Sequence, residues 1–419
     1  MKMKILLIKP PWFSNSNRRA VRYLKSAPLG LGILAALSSS HDVTIIDNDV
    51  QEIPYYYNWD LVGITVTTFT AMDAYSIADR FRTMGVKVVL GGVHPSLLPD
   101  EALEHADAVV IGEAERQWPL LLSDFPDISP VYEEKEQVDM DRVPLPRRDL
   151  FHNRYRIDSI QITRGCNHGC EYCYLRSIPG AKYRRRDPAS VEREFAQMSR
   201  RFVFIVDDNF FIDRDYVLEI SRRISPFKKF WFCQAPLSFG LDVDLVKQCA
   251  DSGLCLVTFG IDSVIQESLD SSGKSHCRVD ECAEAVSNLH AHGIAVSALM
   301  VIGFDHDTRE VFERTISFLK ETNIDSALFF ILTPYPGTDL FRRYEKEGRI
   351  LVRDWSRYNW IRAVFEPEHM TAEELEKNTG LLYQSMFRMR LRNLHRTLPL
   401  ALRMSMRSPR LPGILAGYY

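Results

Sequence analysis

Short apolar runs alternate with segments of helical period twice along this chain, on either side of a proline-rich stretch. That rhythm restricts the fold more than any other feature, because strand–helix–strand repeats close into parallel sheets with helices packed against them. In the first block, strands are expected over Lys4–Lys9, Asp42–Asp47, Leu61–Val66, Val86–Leu90 and Ala108–Ile111. Helices are expected over Leu29–Leu37, opened by the turn Pro28-Leu29-Gly30-Leu31-Gly32, and over Ala71–Met84. The first run reads as a buried strand rather than a leader, since Pro10-Pro11 ends it at once. The pattern predicts a doubly wound parallel sheet over 1–125. Such sheets bind ligands beyond the carboxyl ends of their strands. The turns there are small and polar: Thr65-Val66-Thr67-Thr68, Gly91-Gly92-Val93-His94 and Gly112-Glu113-Ala114-Glu115.

A linker is expected over 126–155, extended by Pro144-Leu145-Pro146. The rhythm resumes with strands over Ser159–Thr163, Phe202–Val206, Phe230–Ala235, Leu254–Gly260, Ala295–Ile302 and Ser326–Leu332. Six strand–helix units predict a partial (β/α)6 TIM-type barrel over 156–345, with a helical, basic C-terminal segment over 346–419. Barrels of this kind carry chemistry on the loops after their strands. The polar clusters fall on that edge: three cysteines, Asp207-Asp208-Asn209, Gln234, Asp262-Ser263, Gly303 and Thr333-Pro334.

The cysteines are Cys166, Cys170 and Cys173, in the run Arg164-Gly165-Cys166-Asn167-His168-Gly169-Cys170-Glu171-Tyr172-Cys173. Three close thiolates can hold a [4Fe–4S] cluster and leave its fourth iron without a protein ligand, whereas such clusters ordinarily take four cysteines. A zinc site is the competing reading, but zinc usually closes with a fourth Cys or His, and no second C-x2-C pair occurs. Eight cysteines spread over 419 residues make no disulfide framework.

The C-x3-C-x2-C spacing, with an aromatic before the last cysteine, resembles the radical S-adenosylmethionine (radical SAM) superfamily. The resemblance implies that the open iron chelates the amino and carboxylate groups of SAM, and that reduction yields a 5′-deoxyadenosyl radical. It implies that Asp208 and Asn209 touch the SAM amino group and that Asp262 and Ser263 contact its ribose and methionine moieties. Relatives often carry Glu at the place of Asp262, so its reach is one methylene shorter. Gly303 would receive adenine, and Tyr172 would shield the cluster or contact adenine. The residues alone leave other readings open: Asp208 as a helix N-cap, Gln234 as a core amide rather than a cofactor contact, and Tyr183 to Arg186 as a solvated basic loop rather than an anion attractor.

The first block resembles the cobalamin-binding domain that precedes many radical SAM barrels. The matching pieces are Pro28–Gly32, Leu61–Thr65, Gly91-Gly92-Val93-His94-Pro95 and Ile111-Gly112-Glu113-Ala114-Glu115. Thr67, Thr68, Gly91, Gly92, His94, Gly112 and Glu113 are the implied cofactor contacts, with His94 by its own residue type a polar loop residue rather than a metal ligand. The D-x-H-x-x-G motif that supplies a cobalt ligand elsewhere is absent. Asn48–Asp60, with Pro54-Tyr55-Tyr56-Tyr57, is too short and proline-interrupted for the helix expected between strands two and three, which puts one wall of the site in question.

A net charge of −3 argues against a nucleic-acid partner, and no apolar run reaches a membrane span. Unpaired thiols and a reducible cluster point to an anaerobic cytoplasm, with an electron donor such as flavodoxin or ferredoxin and a small-molecule or lipid substrate. Residues 380–419 hold seven arginines and no Asp or Glu; such a segment can rest peripherally on a membrane or pack on the barrel. Trp355, Tyr358 and Trp360 are open between core packing and a substrate pocket. Three functions follow: cobalamin-dependent methyl transfer to an unactivated carbon; radical SAM oxidation, rearrangement or cyclisation with cobalamin absent or structural; and a non-catalytic iron–sulfur sensor or scaffold.

Overall fold

The computed structural model describes residues 2–12, 26–179 and 182–392, with side chains through Met386. The first sheet has six parallel strands in the order β2-β1-β3-β4-β5-β6. They are β1 (Lys4–Lys9), β2 (Asp42–Asp47), β3 (Leu61–Thr65), β4 (Lys87–Gly91), β5 (Ala108–Ile111) and β6 (Val131–Glu133). Their unbroken apolar runs suit a parallel sheet covered on both faces. Leu6, Ile8, Val62 and Ile64 pack toward the helix Ala71–Thr83. Ile5, Leu7, Val89 and Val110 pack toward the helices Leu29–Leu37 and Ala114–Asp124. The strand order reverses between β1 and β3, which is where sheets of this order bind ligands.

Two expectations change here. β6 falls in the segment expected as linker: Val131 pairs with Val109, and Tyr132 is buried in the sheet's core. The short Asn48–Asp60 connection does lack a helix, but Ile53, Tyr55 and Trp59 cover the sheet in its place. The Arg80 guanidinium lies 3.6 Å from the Tyr55 ring centre, a cation–π contact. This patch is on the Ala71–Thr83 face, so the opposite face keeps both of its helices.

The second sheet is also parallel, in the order β7-β10-β11-β12-β13-β14. Its strands are β7 (Ile157–Ile160), β10 (Phe202–Ile205), β11 (Phe230–Ala235), β12 (Leu254–Asp262), β13 (Ala295–Ile302) and β14 (Ser326–Ile331). β7 and β14 do not pair, so the barrel is open between them. The strand expected to end at Thr163 ends at Ile160. Thr163–Arg164 (β8) instead pairs antiparallel with Arg184–Arg185 (β9). Outward-facing Val203, Trp231, Val257 and Val296 are buried under the barrel's helices, whereas inward-facing Phe204, Phe232, Leu256 and Leu328 stay partly exposed.

The C-terminal segment returns to the first domain. Trp355 and Tyr358 enter that domain's core rather than the barrel mouth. Trp355 Nε1 donates to both carboxylate oxygens of Glu101, at 2.9 and 3.0 Å. The helix Ala372–Arg392 packs on β14 and opens with a reciprocal cap: Glu374 N donates to Thr371 Oγ1 at 3.2 Å and Thr371 N to Glu374 Oε2 at 3.0 Å. Most of the basic segment 380–419 lies outside the described residues. No helix among the described residues is long and apolar enough to cross a membrane.

Candidate active site

The cysteine loop leaves the carboxyl end of β7 and is gripped from β10. Asp207 accepts hydrogen bonds from Ile162 N, Thr163 N and Thr163 Oγ1, each 2.7 Å long. Burial pushes its carboxyl up to about 7. Asp208 accepts from Gly165 N at 2.8 Å, immediately before Cys166. It is therefore not a helix cap; that position belongs to Asp213, which accepts from Tyr216 N. On the loop's other side Gly273 approaches so closely that a Cβ there would stand 2.6 Å from the Gly169 carbonyl oxygen. Glu171 N donates to Ser272 O at 3.0 Å, and Arg343 Nη2 donates to Glu171 Oε1 at 2.8 Å.

The three thiols are half-buried and free of disulfides. Burial raises the Cys170 thiol and pushes Cys173 up to about 11. Among the described residues no three His, Cys, Asp or Glu side chains are gathered as a site for one metal ion. A cubane places each thiolate on a separate iron. His168, the other donor in the loop, is stacked on His276 with ring centres 3.5 Å apart. The neighbouring groups suit a negatively charged cluster. Asn209 Nδ2 lies 3.9 Å from Cys166 Sγ. Lys274 acts electrostatically on Cys170; burial lowers its pKa, but Asp262 and Cys170 outweigh that and leave it raised. Tyr172 Oη donates to Asp262 Oδ2 at 2.5 Å, and Lys274 Nζ donates to the same oxygen.

Asn209 Oδ1 is buried with no hydrogen-bond partner. An orphaned acceptor beside the thiols fits an incoming N–H donor such as the SAM amino group. Gln234 is exposed and is not a core amide. Asp262 sits on a bulge at the end of β12 with φ +67°, already engaged by Tyr172 and Lys274. Ser263 is only 1 % exposed, and its Oγ accepts from Ile265 N at 3.0 Å. Gly303 (φ +109°) donates its N–H to Asp307 at 2.8 Å, and a Cβ there would meet Leu375 at 2.9 Å. The basic run is paired rather than solvated: Arg184 with Glu113, Arg185 with Asp213 and Arg186 with Glu194.

A cavity of about 380 Å³ opens at the carboxyl edge of the first sheet, within the roughly 300–1,000 Å³ of small-molecule sites. Gly30, Leu31, Gly63, Thr65, Trp118 and Val89 line it, together with the expected Gly91, Gly92, Gly112 and Glu113; Arg164 and Gln161 close it from the barrel side. Glycine makes this room: a Cβ on Gly63 would come 3.0 Å from Leu7 and 3.2 Å from Trp118. The shape suits a cofactor arm laid along the sheet, as a B12-type group would need. Glu113 is an interdomain strut rather than a free ligand. It accepts from Arg164 (2.9 Å), Arg184 (2.6 and 2.8 Å) and Val138 N (3.0 Å). Burial pushes its carboxyl up, but Arg184, Arg164 and the Val138 amide outweigh this and hold it below the usual range.

Three expected contacts do not line the cavity. His94 is fully buried, 3.4 Å from Thr68 Oγ1 and 3.2 Å from Glu101 Oε1, and so belongs to the network that fixes Trp355. Thr68 is buried beside it, while half-buried Thr67 closes a turn with Thr70. Lys274, Arg164 and Trp118 were not singled out from the sequence. For Lys274 the available signal was Gly273 beside it and Gly260 on β12, where a Cβ would meet Lys274 Nζ at 3.4 Å.

Residues 160–319 match the family model of the radical SAM superfamily, and residues 18–122 match that of the B12 binding domain. The chain is 30 % identical over 405 residues to the bacteriochlorophyllide d C-12(1)-methyltransferase of Chlorobaculum tepidum, covering 92 % of this chain and 88 % of that one. The bacteriochlorophyllide d C-8(2)-methyltransferase of the same organism is 29 % identical over 364 residues, with 81 % of each chain covered. Among solved structures, the radical SAM methyltransferase TsrM of Kitasatospora setae, with cobalamin and a [4Fe–4S] cluster bound, superposes with a TM-score of 0.67 at 18 % identity, covering 83 % of this chain and 78 % of that one.

Proposed function

The chain belongs to the radical SAM superfamily, among its methyltransferases with a B12-binding domain, and on that premise we propose how its residues divide the work. When bound, the cluster and SAM supply the 5′-deoxyadenosyl radical, and cobalamin supplies the methyl group. Cys166, Cys170 and Cys173 hold the cluster by three thiolates. Asn209 Oδ1 accepts an N–H of the SAM amino group; its buried, partnerless state beside the thiols is the observation that carries this assignment. Asp207 and Asp208 fix the entrance of the loop rather than touching the ligand. Tyr172, Asp262 and Lys274 brace the Cys170 side, with Lys274 offsetting negative charge there. Gly30, Gly63, Gly91, Gly92 and Gly112 give backbone access to the cobalamin arm. The apolar inner face of the barrel keeps water from the radical. The acceptor is a small molecule that reacts at an unactivated carbon.

The test is an anaerobic turnover of reconstituted protein with methyl-deuterated SAM and a bacteriochlorophyllide d acceptor. The account expects 5′-deoxyadenosine together with a trideuteromethylated product. Release of 5′-deoxyadenosine with an altered but unmethylated product would favour oxidation, rearrangement or cyclisation instead. No 5′-deoxyadenosine would contradict the assignment.

A further inference from the structure

We propose that the acceptor carries a flat, conjugated ring system and is held by face and edge contacts with an aromatic cluster formed by Trp12, Phe69, Phe330 and Trp360. The proposal rests on the methyl-transfer reading above and adds the residues that would hold the acceptor.

These four rings come from four separate places. Trp12 follows β1, Phe69 follows β3, Phe330 lies near the carboxyl end of β14, and Trp360 belongs to the returning C-terminal segment. They meet where the carboxyl edges of the two sheets face each other. Ring centres are 5.2 Å apart for Trp12–Phe69, 4.8 Å for Phe69–Trp360, 6.2 Å for Trp12–Trp360 and 5.9 Å for Phe330–Trp360.

Packing alone does not account for this group. Trp355 and Tyr358, on the same returning segment, are buried in the first domain's core. Trp360 is only partly covered, and Trp12 is 45 % exposed. Trp360 also has φ +64°, a left-handed conformation that is an outlier for a bulky side chain and persists only where the surroundings hold it. Its carbonyl is held by Ile331 N at 2.7 Å. The strain thus keeps a large ring at the mouth rather than in the core. Behind the mouth the barrel interior continues apolar, with Phe204 and Phe232 stacked 5.0 Å apart.

Exposed aromatic faces of this kind favour another π-face by offset or edge contacts. A flexible chain of equal area gains no such contact and loses rotamer freedom when it is ordered. Among the described residues, Lys9 lies 5.6 Å from the Trp12 ring centre and is paired with Asp47 and Asp49. The rings themselves select by shape and π-surface.

The test measures equilibrium binding to full-length reconstituted protein. The planar probes are protoporphyrin IX and pyrene; the flexible apolar control is geranylgeraniol. Trp360→Gly removes the ring while tolerating the positive φ, and Trp12→Ala alters an exposed position. At least one planar probe should bind more tightly than geranylgeraniol, and at least one variant should weaken that binding about tenfold. The proposal is overturned if neither planar probe binds more tightly than the control, or if both variants bind the planar probes as the parent does. Release of 5′-deoxyadenosine by the same preparations, measured without acceptor, reports on the underlying radical SAM reading independently.

Discussion

Asn209 and Lys274 each make a prediction that does not depend on the fold as a whole. Losing the acceptor of a neutral N–H donor costs about 0.5–1.5 kcal/mol. Asn209→Ala should therefore raise the KM for SAM roughly twofold to tenfold while iron content stays at the parental level. An unchanged KM would remove Asn209 from the SAM site. Lys274 brings positive charge to Cys170 and Asp262. Lys274→Gln leaves a more negative surrounding, which disfavours adding an electron. The cluster's reduction potential should fall by ~60 mV, a tenfold step for a one-electron couple, as read by EPR-monitored titration. A potential that stays or rises would contradict the placement. Sequence reading found the thiols and Asn209 because they sit in runs of reactive residues at a strand end. It did not find Lys274, whose partners are on β12 and in the cysteine loop. Nor did it show that the Ser263 hydroxyl, next to an acid, already has a backbone partner in Ile265 N.

The elements that position the site were more legible than their partners. Every apolar run read as a strand forms one, because buried parallel strands are near-continuous hydrophobic runs. The exceptions have physical causes. β6 is three residues long and is recognisable only through its pairing with β5. Thr163–Arg164 leaves the barrel strand because its partner, Arg184–Arg185, comes from beyond the cysteine loop. The resemblance placed His94 among the cofactor contacts, but its partner Glu101 and the Trp355 that binds Glu101 come from other elements and could not be seen in the sequence. The Glu113 strut joins the two sheets, and its carboxyl is held below its ordinary value of 4.5. Its stabilisation is therefore present above pH 4.5 and is lost as pH falls through the lower folded value. Glu113→Gln should cost about 3 kcal/mol at neutral pH, measured by urea unfolding. The gap between variant and parent should narrow as the pH drops below 4.5. A gap that is constant with pH would mean that the ion pairs contribute nothing.

At the scale of the whole molecule, two parallel sheets turn their carboxyl edges toward each other. One edge carries the glycine-lined cavity and the other the thiols. Gly30 lines that cavity, and a Cβ there meets nothing within 4 Å. Gly30→Phe should thus fill the space without disturbing the fold. Protein grown with hydroxocobalamin should copurify with a corrinoid absorbance that this variant loses at unchanged melting temperature. Retention of the corrinoid would place it elsewhere. The central claim is that the chain gives a cubane three thiolates and leaves one iron to SAM. Mössbauer spectroscopy of protein reconstituted with 57Fe tests it most directly. Adding SAM should shift the signal of one iron site while the other three keep theirs. Spectra identical with and without SAM, or a metal analysis returning zinc at the three cysteines, would contradict it.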